Sequence, residues 1–214
     1  GGIAAMSASG AYGPTRIAKG IVGTAPLRLG DMPAAEALDA QIVAGNGRFR
    51  GIRVGATWDA SPDVENHRTQ PPQGMYADAT FRAGFQHLAP RNLTFEAWCY
   101  HTQIPGLTDL AKAFPDTTII LDHFGGPIGV GPYAGKEDEV FENWRSAIDK
   151  LAECPNVMAK LGGLVMPVNG FGWQDQPAPP SSHRSSAACP VGAGATTGPY
   201  TSRPSSKTSV GTPN

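Results

Sequence analysis

Cysteine is scarce in this sequence, and its scarcity excludes two ways of building a protein. Only Cys99, Cys154 and Cys189 occur among 214 residues, too few and too scattered for a disulfide framework or a thiolate metal cluster. That usage fits a reducing compartment, and the cytoplasm is the expected location. Charge of one sign is equally absent. The formal net charge is -1 and there is no run of like charges, which argues against a nucleic-acid partner or a membrane-surface role. No window is apolar enough to cross a bilayer, and the opening stretch GGIAAMSASGAYG has neither the basic start nor the apolar core of a signal peptide. A small-molecule substrate is the expected partner, with association into a homo-oligomer left open.

What is present is a rhythm. Short apolar runs alternate with amphipathic stretches: a strand over 16–27, a helix over 32–45 that ends at glycine, a strand over 48–59 and a helix over 76–90 halted by Pro90. A strand over 93–101 and a helix over 107–115 follow, then a strand opening at Thr117, a helix over 136–155 and a strand over 156–163. In the last helix Val140, Phe141, Trp144, Ile148 and Leu151 share one face. Five such units in strict alternation require parallel strands joined by crossover helices, in an open doubly wound sheet or a closed barrel.

In such folds chemistry sits at the carboxyl ends of the strands. The stretch TTIILDHFGGP has that form: Ile119, Ile120 and Leu121 fill the core, His123 emerges at the rim, and two glycines and a proline turn the chain away. In CYHTQIP, His101 lies two residues beyond Cys99 and so on the same face of its strand. Two strand-end histidines on consecutive units can converge on one metal ion or one substrate; the competing reading makes each a rim residue bonded to a nearby carbonyl. Arg53 can clamp an anionic substrate or serve a structural salt bridge. Glu96 can act as an inward acid or base or remain ion-paired, and Lys160 can bind a carboxylate or lie on the surface. His67 and His183 lie in loop or tail sequence, and His87 late in a helix, where a dipole contact explains it.

Together, YHTQIPGLTDLAKAFPDTTIILDHFGGPIGVGPYAG, VFENWR, CPNVMAKLGGL and FGW resemble the amidohydrolase-related family of metal-dependent hydrolases with a TIM-barrel fold, in the branch that includes lactonases acting on sugar lactones and aromatic-degradation lactones. SASGAYGPTR, GRFRGIR and WDASPDV agree, so the resemblance covers roughly residues 1–173. It implies an incomplete (β/α)8 TIM-like barrel of alternating parallel strands and helices, followed by an irregular tail. It further implies activated-water attack on a lactone or related carbonyl, with His123 and His101 as catalytic residues and as ligands of zinc or manganese, and with Gln103, Arg53 and Glu96 facing substrate. A metal-independent mechanism, a non-oxidative decarboxylase of the same fold and a catalytically inactive fragment stay open beside it.

Departures from the family pattern shape the remaining expectations. The family's first-strand His-x-His pair and last-strand aspartate do not occur in these residues, and Val54 stands where many relatives carry histidine. Two histidines do not complete a catalytic zinc site, which needs three protein ligands and an open position. Impaired turnover is therefore expected. After Gln174 roughly seven in ten residues are Pro, Ser, Ala, Thr or Gly, a composition that cannot bury a core. Residues 174–214 are expected to form an irregular tail, natural or frameshifted. Back-translated through permitted codons and read one base over, Tyr200–Ser205 can spell Tyr-Ile-Glu-Ala-Phe, which favours the frameshift.

Overall fold

The computed structural model describes residues 2–163 and 166–172; the tail expected over 174–214, with Cys189, lies outside the described residues. Five strands, β1 (Ile21–Gly23), β2 (Phe49–Gly55), β3 (Thr94–Trp98), β4 (Ile119–Leu121) and β5 (Val157–Ala159), form one sheet. Every pairing is parallel and the spatial order is the chain order. A doubly wound sheet reverses its order at a switch point. No reversal occurs among the described strands, so the sheet is an arc of a (β/α) barrel.

The helices are α1 (Gly2–Ala8), α2 (Asp31–Gly45), α3 (Ala79–Phe85), α4 (Ile104–Ala113) and α5 (Glu137–Ala152). Helices α2 to α5 pack in sequence along the sheet, α2 on α3 and α4 on α5. Between them and the sheet lies one core, in which Ile52, Phe95, Ala97, Ile119 and Leu121 are buried with Phe81, Phe85, Leu107 and Leu110. Strand side chains alternate between faces, so Arg53, Glu96, Ile120 and Met158, which stand side by side in the register, belong to the opposite, concave face. Cys99 and Cys154 are free and buried.

Local chemistry trims several elements relative to the sequence expectation. Helix α3 is shorter than 76–90 because the Asp78 carboxylate caps it, accepting from Phe81 N at 2.7 Å; 3-10 turns at Met75–Ala77 and Ala89–Arg91 flank it. Helix α4 starts earlier than residue 107 because Pro105 fits its first turn. The first strand shortens to three residues between Ala18, held at φ 54°, and Pro26. Helix α1 was not anticipated; its buried Ser7 pins the chain that follows, with Oγ donating to Thr15 O and accepting from Ile17 N, both at 2.8 Å. No helix among the described residues is long and apolar enough to cross a membrane.

Candidate active site at the carboxyl ends of the strands

Strand β4 ends in a strained turn. His123 and Phe124 adopt left-handed backbone at φ 52° and 55°, followed by Gly125 and Gly126 at 67° and 32°. For a residue with a Cβ this conformation costs about 1–2 kcal/mol. What holds the turn is packing and one strong bond. Phe124 is buried, and the Trp144 indole on α5 donates from Nε1 to Phe124 O at 2.6 Å. Gly163 backs the His123 ring so closely that a Cβ there would lie 2.4 Å from Nδ1.

Around this turn the concave face gathers charges. Arg53 and Glu96 are register partners on β2 and β3. Asp122 and Lys160 each stand two residues beyond Ile120 and Met158, the positions that continue the same row, and Lys160 N still donates to Leu121 O at 2.9 Å. Arg53 Nε lies 2.9 Å from Asp122 Oδ2, while Lys160 Nζ lies 2.6 Å from Glu96 Oε1 and 3.5 Å from Asp122 Oδ1. Asp122 is fully buried and neither of its oxygens accepts a well-directed hydrogen bond. Its charge is balanced by proximity to cations alone. Arg53 Nη2 lies 2.9 Å from His123 Nε2. A guanidinium only donates, so Nε2 accepts and the ring proton sits on Nδ1. Burial, then the Arg53 charge, holds the His123 pKa below the usual histidine range, against the pull of Asp122. The edge of Trp98 meets the same ring, with centroids 4.8 Å apart.

The structure thus brings Arg53, Glu96 and His123 into one cluster, and places His101 and Gln103 among other partners. His101 is buried beside Tyr133, ring centroids 5.4 Å apart, and its Nδ1 accepts from Ile128 N at 3.3 Å. Burial pushes its pKa down to about 4, against the pull of Asp59. Gln103 spends its amide joining the segments that follow β2 and β3: Oε1 accepts from Tyr100 N at 2.9 Å and Nε2 donates to Ala56 O.

Comparison with known proteins decides the family. A family model described as Amidohydrolase matches residues 18–193. The chain belongs to the amidohydrolase family. Among curated relatives it is similar to uncharacterized protein y4mH of Sinorhizobium fredii, 35% identical over 147 residues, which are 69% of this chain and 45% of that protein. It is also similar to an L-fucono-1,5-lactonase of Burkholderia ambifaria, 28% identical over 150 residues, 70% of this chain and 44% of the lactonase. The chain therefore spans less than half the length of these relatives. Crystal structures of an amidohydrolase from Burkholderia multivorans, one with bound HEPES and one with bound zinc, superpose with TM-scores of 0.52 and 0.51 at 25% identity, covering 69% of this chain and 45% of theirs.

One of those amidohydrolase structures holds zinc, and the residues of this chain bear on whether it can hold a metal in the same way. The orphaned carboxylate of Asp122 beside His123 is the feature that would favour a metal. Against it, among the described residues no three His, Cys, Asp or Glu side chains are placed to hold one ion. The cluster's two carboxylates already face Arg53 and Lys160, whose charges oppose a divalent cation at this spot. The described residues do not by themselves fit a metal.

Sequence reasoning assigned no site role to Asp122 or Trp144 and favoured a surface position for Lys160. A usable signal existed for two of them. Asp122 stands two residues beyond Ile120, the register partner of Glu96, and Lys160 two beyond Met158, the partner of Ile120, so strand alternation continued past the strand ends predicts their face.

Proposed function

We propose that this chain carries part of the active site of a hydrolase that opens a lactone or related carbonyl compound with water activated by His123. One observation carries the reading: a neutral imidazole on a strained strand-end turn, its basic Nε2 held toward the concave face by Arg53 at 2.9 Å. The likeness to L-fucono-1,5-lactonases supports a lactone as substrate.

The chemistry follows from the groups present. Arg53 and Lys160 both expose part of their side chains and supply donors for the substrate carbonyl and for the oxyanion that forms on it. When the guanidinium turns to the substrate, His123 Nε2 is released to accept a proton from water as general base. The hydroxide adds to the carbonyl carbon and the ring carbon–oxygen bond breaks. The imidazolium then returns its proton to the leaving alkoxide, giving a hydroxy acid. Asp122 keeps Arg53 within reach of His123, and Trp98 packs at right angles against the ring.

The test is acid release in a pH-stat from a panel of lactones, comparing the full chain with His123→Asn. The expected result is catalysis above the uncatalysed rate that the substitution removes by about 100-fold, the usual scale for a general base. Equal rates in the two proteins would refute the reading, and carbon dioxide release from a carboxylated substrate would replace it with decarboxylation.

A further inference from the structure

Gly55 ends β2 two residues beyond Arg53, so it belongs to the same concave face, and its register partner is Trp98. A side chain has no room there. A Cβ built on Gly55 would fall on the His67 ring, 2.5 Å from both Cγ and Nε2. The imidazole, returning from the loop after β2, fills the place that residue 55 leaves empty. Because β3 lies between β2 and β4, Trp98 stands on the strand between this seat and the turn that carries His123, whose ring it meets.

The loop holds the ring in place. His67 N donates to Thr57 O at 3.0 Å, and Gln70 N donates to His67 O at 2.8 Å. Asn66 clasps the Asp59 backbone from both sides, Oδ1 accepting from Asp59 N at 2.6 Å and Nδ2 donating to Asp59 O at 3.0 Å. Arg28 Nη1 donates to Thr69 O at 3.2 Å and to Gln70 O at 3.3 Å. The orientation of the ring is set as well. Thr69 N donates to His67 Nδ1 at 3.2 Å, and the Thr69 hydroxyl lies 2.8 Å from the same atom. An Nδ1 that accepts from a backbone N–H carries no proton, so the ring proton sits on Nε2. Burial, then the charges of Arg68 and Arg53, hold the His67 pKa below the usual histidine range. The ring is therefore neutral at pH 7, and among the described residues nothing accepts from its Nε2.

The two imidazoles that feel the Arg53 charge are thus opposite tautomers. His123 offers an accepting nitrogen, and His67 offers an N–H. A neutral imidazole does not release that proton near pH 7; it polarises a carbonyl by donating to it. Such a donor, fixed before the reaction, favours the state in which negative charge has developed on the oxygen.

We propose that His67 is a further catalytic residue of this site, its Nε2–H donating to the carbonyl oxygen that Arg53 contacts and to the oxyanion into which that oxygen develops. The proton stays on Nε2 throughout, so proton transfer remains with His123. The catalytic role rests on the hydrolase reading; the hydrogen bond to a bound carbonyl does not.

The experiment is proton and nitrogen-15 NMR of the histidine rings in the full chain, with His67 assigned through its loss in His67→Gln, during titration with δ-valerolactam. This cyclic amide presents a ring carbonyl and does not hydrolyse at neutral pH, so the result is independent of turnover. The expected outcome is an Nε2-protonated His67 at pH 7 whose Nε2–H signal shifts saturably with lactam, the affinity falling at least about tenfold in Gly55→Ala as the added methyl displaces the ring. An Nδ1-protonated ring, the absence of a saturable shift, or a shift indifferent to Gly55→Ala overturns the proposal. In lactone hydrolysis, His67→Ala is expected to lower kcat about 100-fold with KM changed less than about threefold, and His67→Gln, which keeps an N–H donor, to recover at least about tenfold of that loss. A kcat loss under about threefold, or no recovery in His67→Gln, overturns the catalytic role. A saturable lactam shift in a chain that hydrolyses no lactone would refute the hydrolase reading and uphold the contact of His67 with a carbonyl.

Discussion

Replacing Arg53 by methionine removes one partner of a buried charge while keeping much of the aliphatic stem. Asp122 is fully buried, with Arg53 Nε at 2.9 Å and Lys160 Nζ at 3.5 Å. Two unit charges at the shorter distance attract by about 6 kcal/mol at an effective dielectric of about 20. The Arg53 side chain is 40% exposed, so solvent screens about half of this, and Lys160 retains part of the balance. The expected loss of unfolding free energy is about 3 kcal/mol, the low end for uncompensated buried charge. Asp122→Asn is expected to cost less, about 1–2 kcal/mol, because the freed guanidinium can reach water. The double variant removes the buried charge as well as its partner and should lose about 2 kcal/mol, well short of the sum of the singles. Urea denaturation at constant slope reads all three. A cost under about 1 kcal/mol for Arg53→Met, or loss of the full sum in the double variant, would show that Asp122 does not depend on Arg53 for its charge balance.

Three further outcomes follow from the same contacts. Trp144→Phe deletes the bond to Phe124 O and should cost about 2–3 kcal/mol, from the unsatisfied carbonyl and lost packing together; a urea midpoint shift equivalent to under about 0.5 kcal/mol would show that the turn is held otherwise. Gly163→Ala places a methyl 2.4 Å from His123 Nδ1 at φ 74° and should lower lactone hydrolysis at least about tenfold, with unchanged hydrolysis counting against Gly163 as a support for the ring. The His101 pKa is depressed from 6.5 to about 4, so the unfolded chain takes up a proton there first as pH falls. Its contribution to stability is fully present above about pH 6.5 and is lost down to about pH 4, by on the order of 3 kcal/mol; urea melts across that window should show a slope that His101→Gln removes, and an identical slope in the variant would sink the assignment.

The barrel arc was legible because its signals are local. The run of Ile119, Ile120 and Leu121 before a glycine turn, and the apolar face of α5, need no knowledge of the rest of the chain. The choice between open sheet and barrel was not legible from periodicity, since strand order is a property of pairing. His123, Arg53 and Glu96 were found as strand-end or mid-strand polar residues in otherwise apolar runs. Asp122 was visible beside His123 but carried no signal that Arg53, 69 positions earlier in the chain, would be its partner. Lys160 read more readily as a surface residue because its sequence neighbours do not reveal that Glu96 lies across β4. Trp144 read as a core residue on an amphipathic helix; only the folded backbone shows that its N–H clamps the turn carrying His123.

A neutral His123 whose Nε2 accepts from Arg53 is the centre of the proposed mechanism. Nitrogen-15 NMR of the histidine rings, with His123 assigned through its loss in His123→Asn, tests this most directly. The predicted result is the Nδ1-protonated tautomer at pH 7 and a titration midpoint below 6.5, rising in Arg53→Met as the charge that opposes protonation is removed. An Nε2-protonated ring, or a midpoint at or above 6.5 that Arg53→Met leaves unchanged, would contradict it.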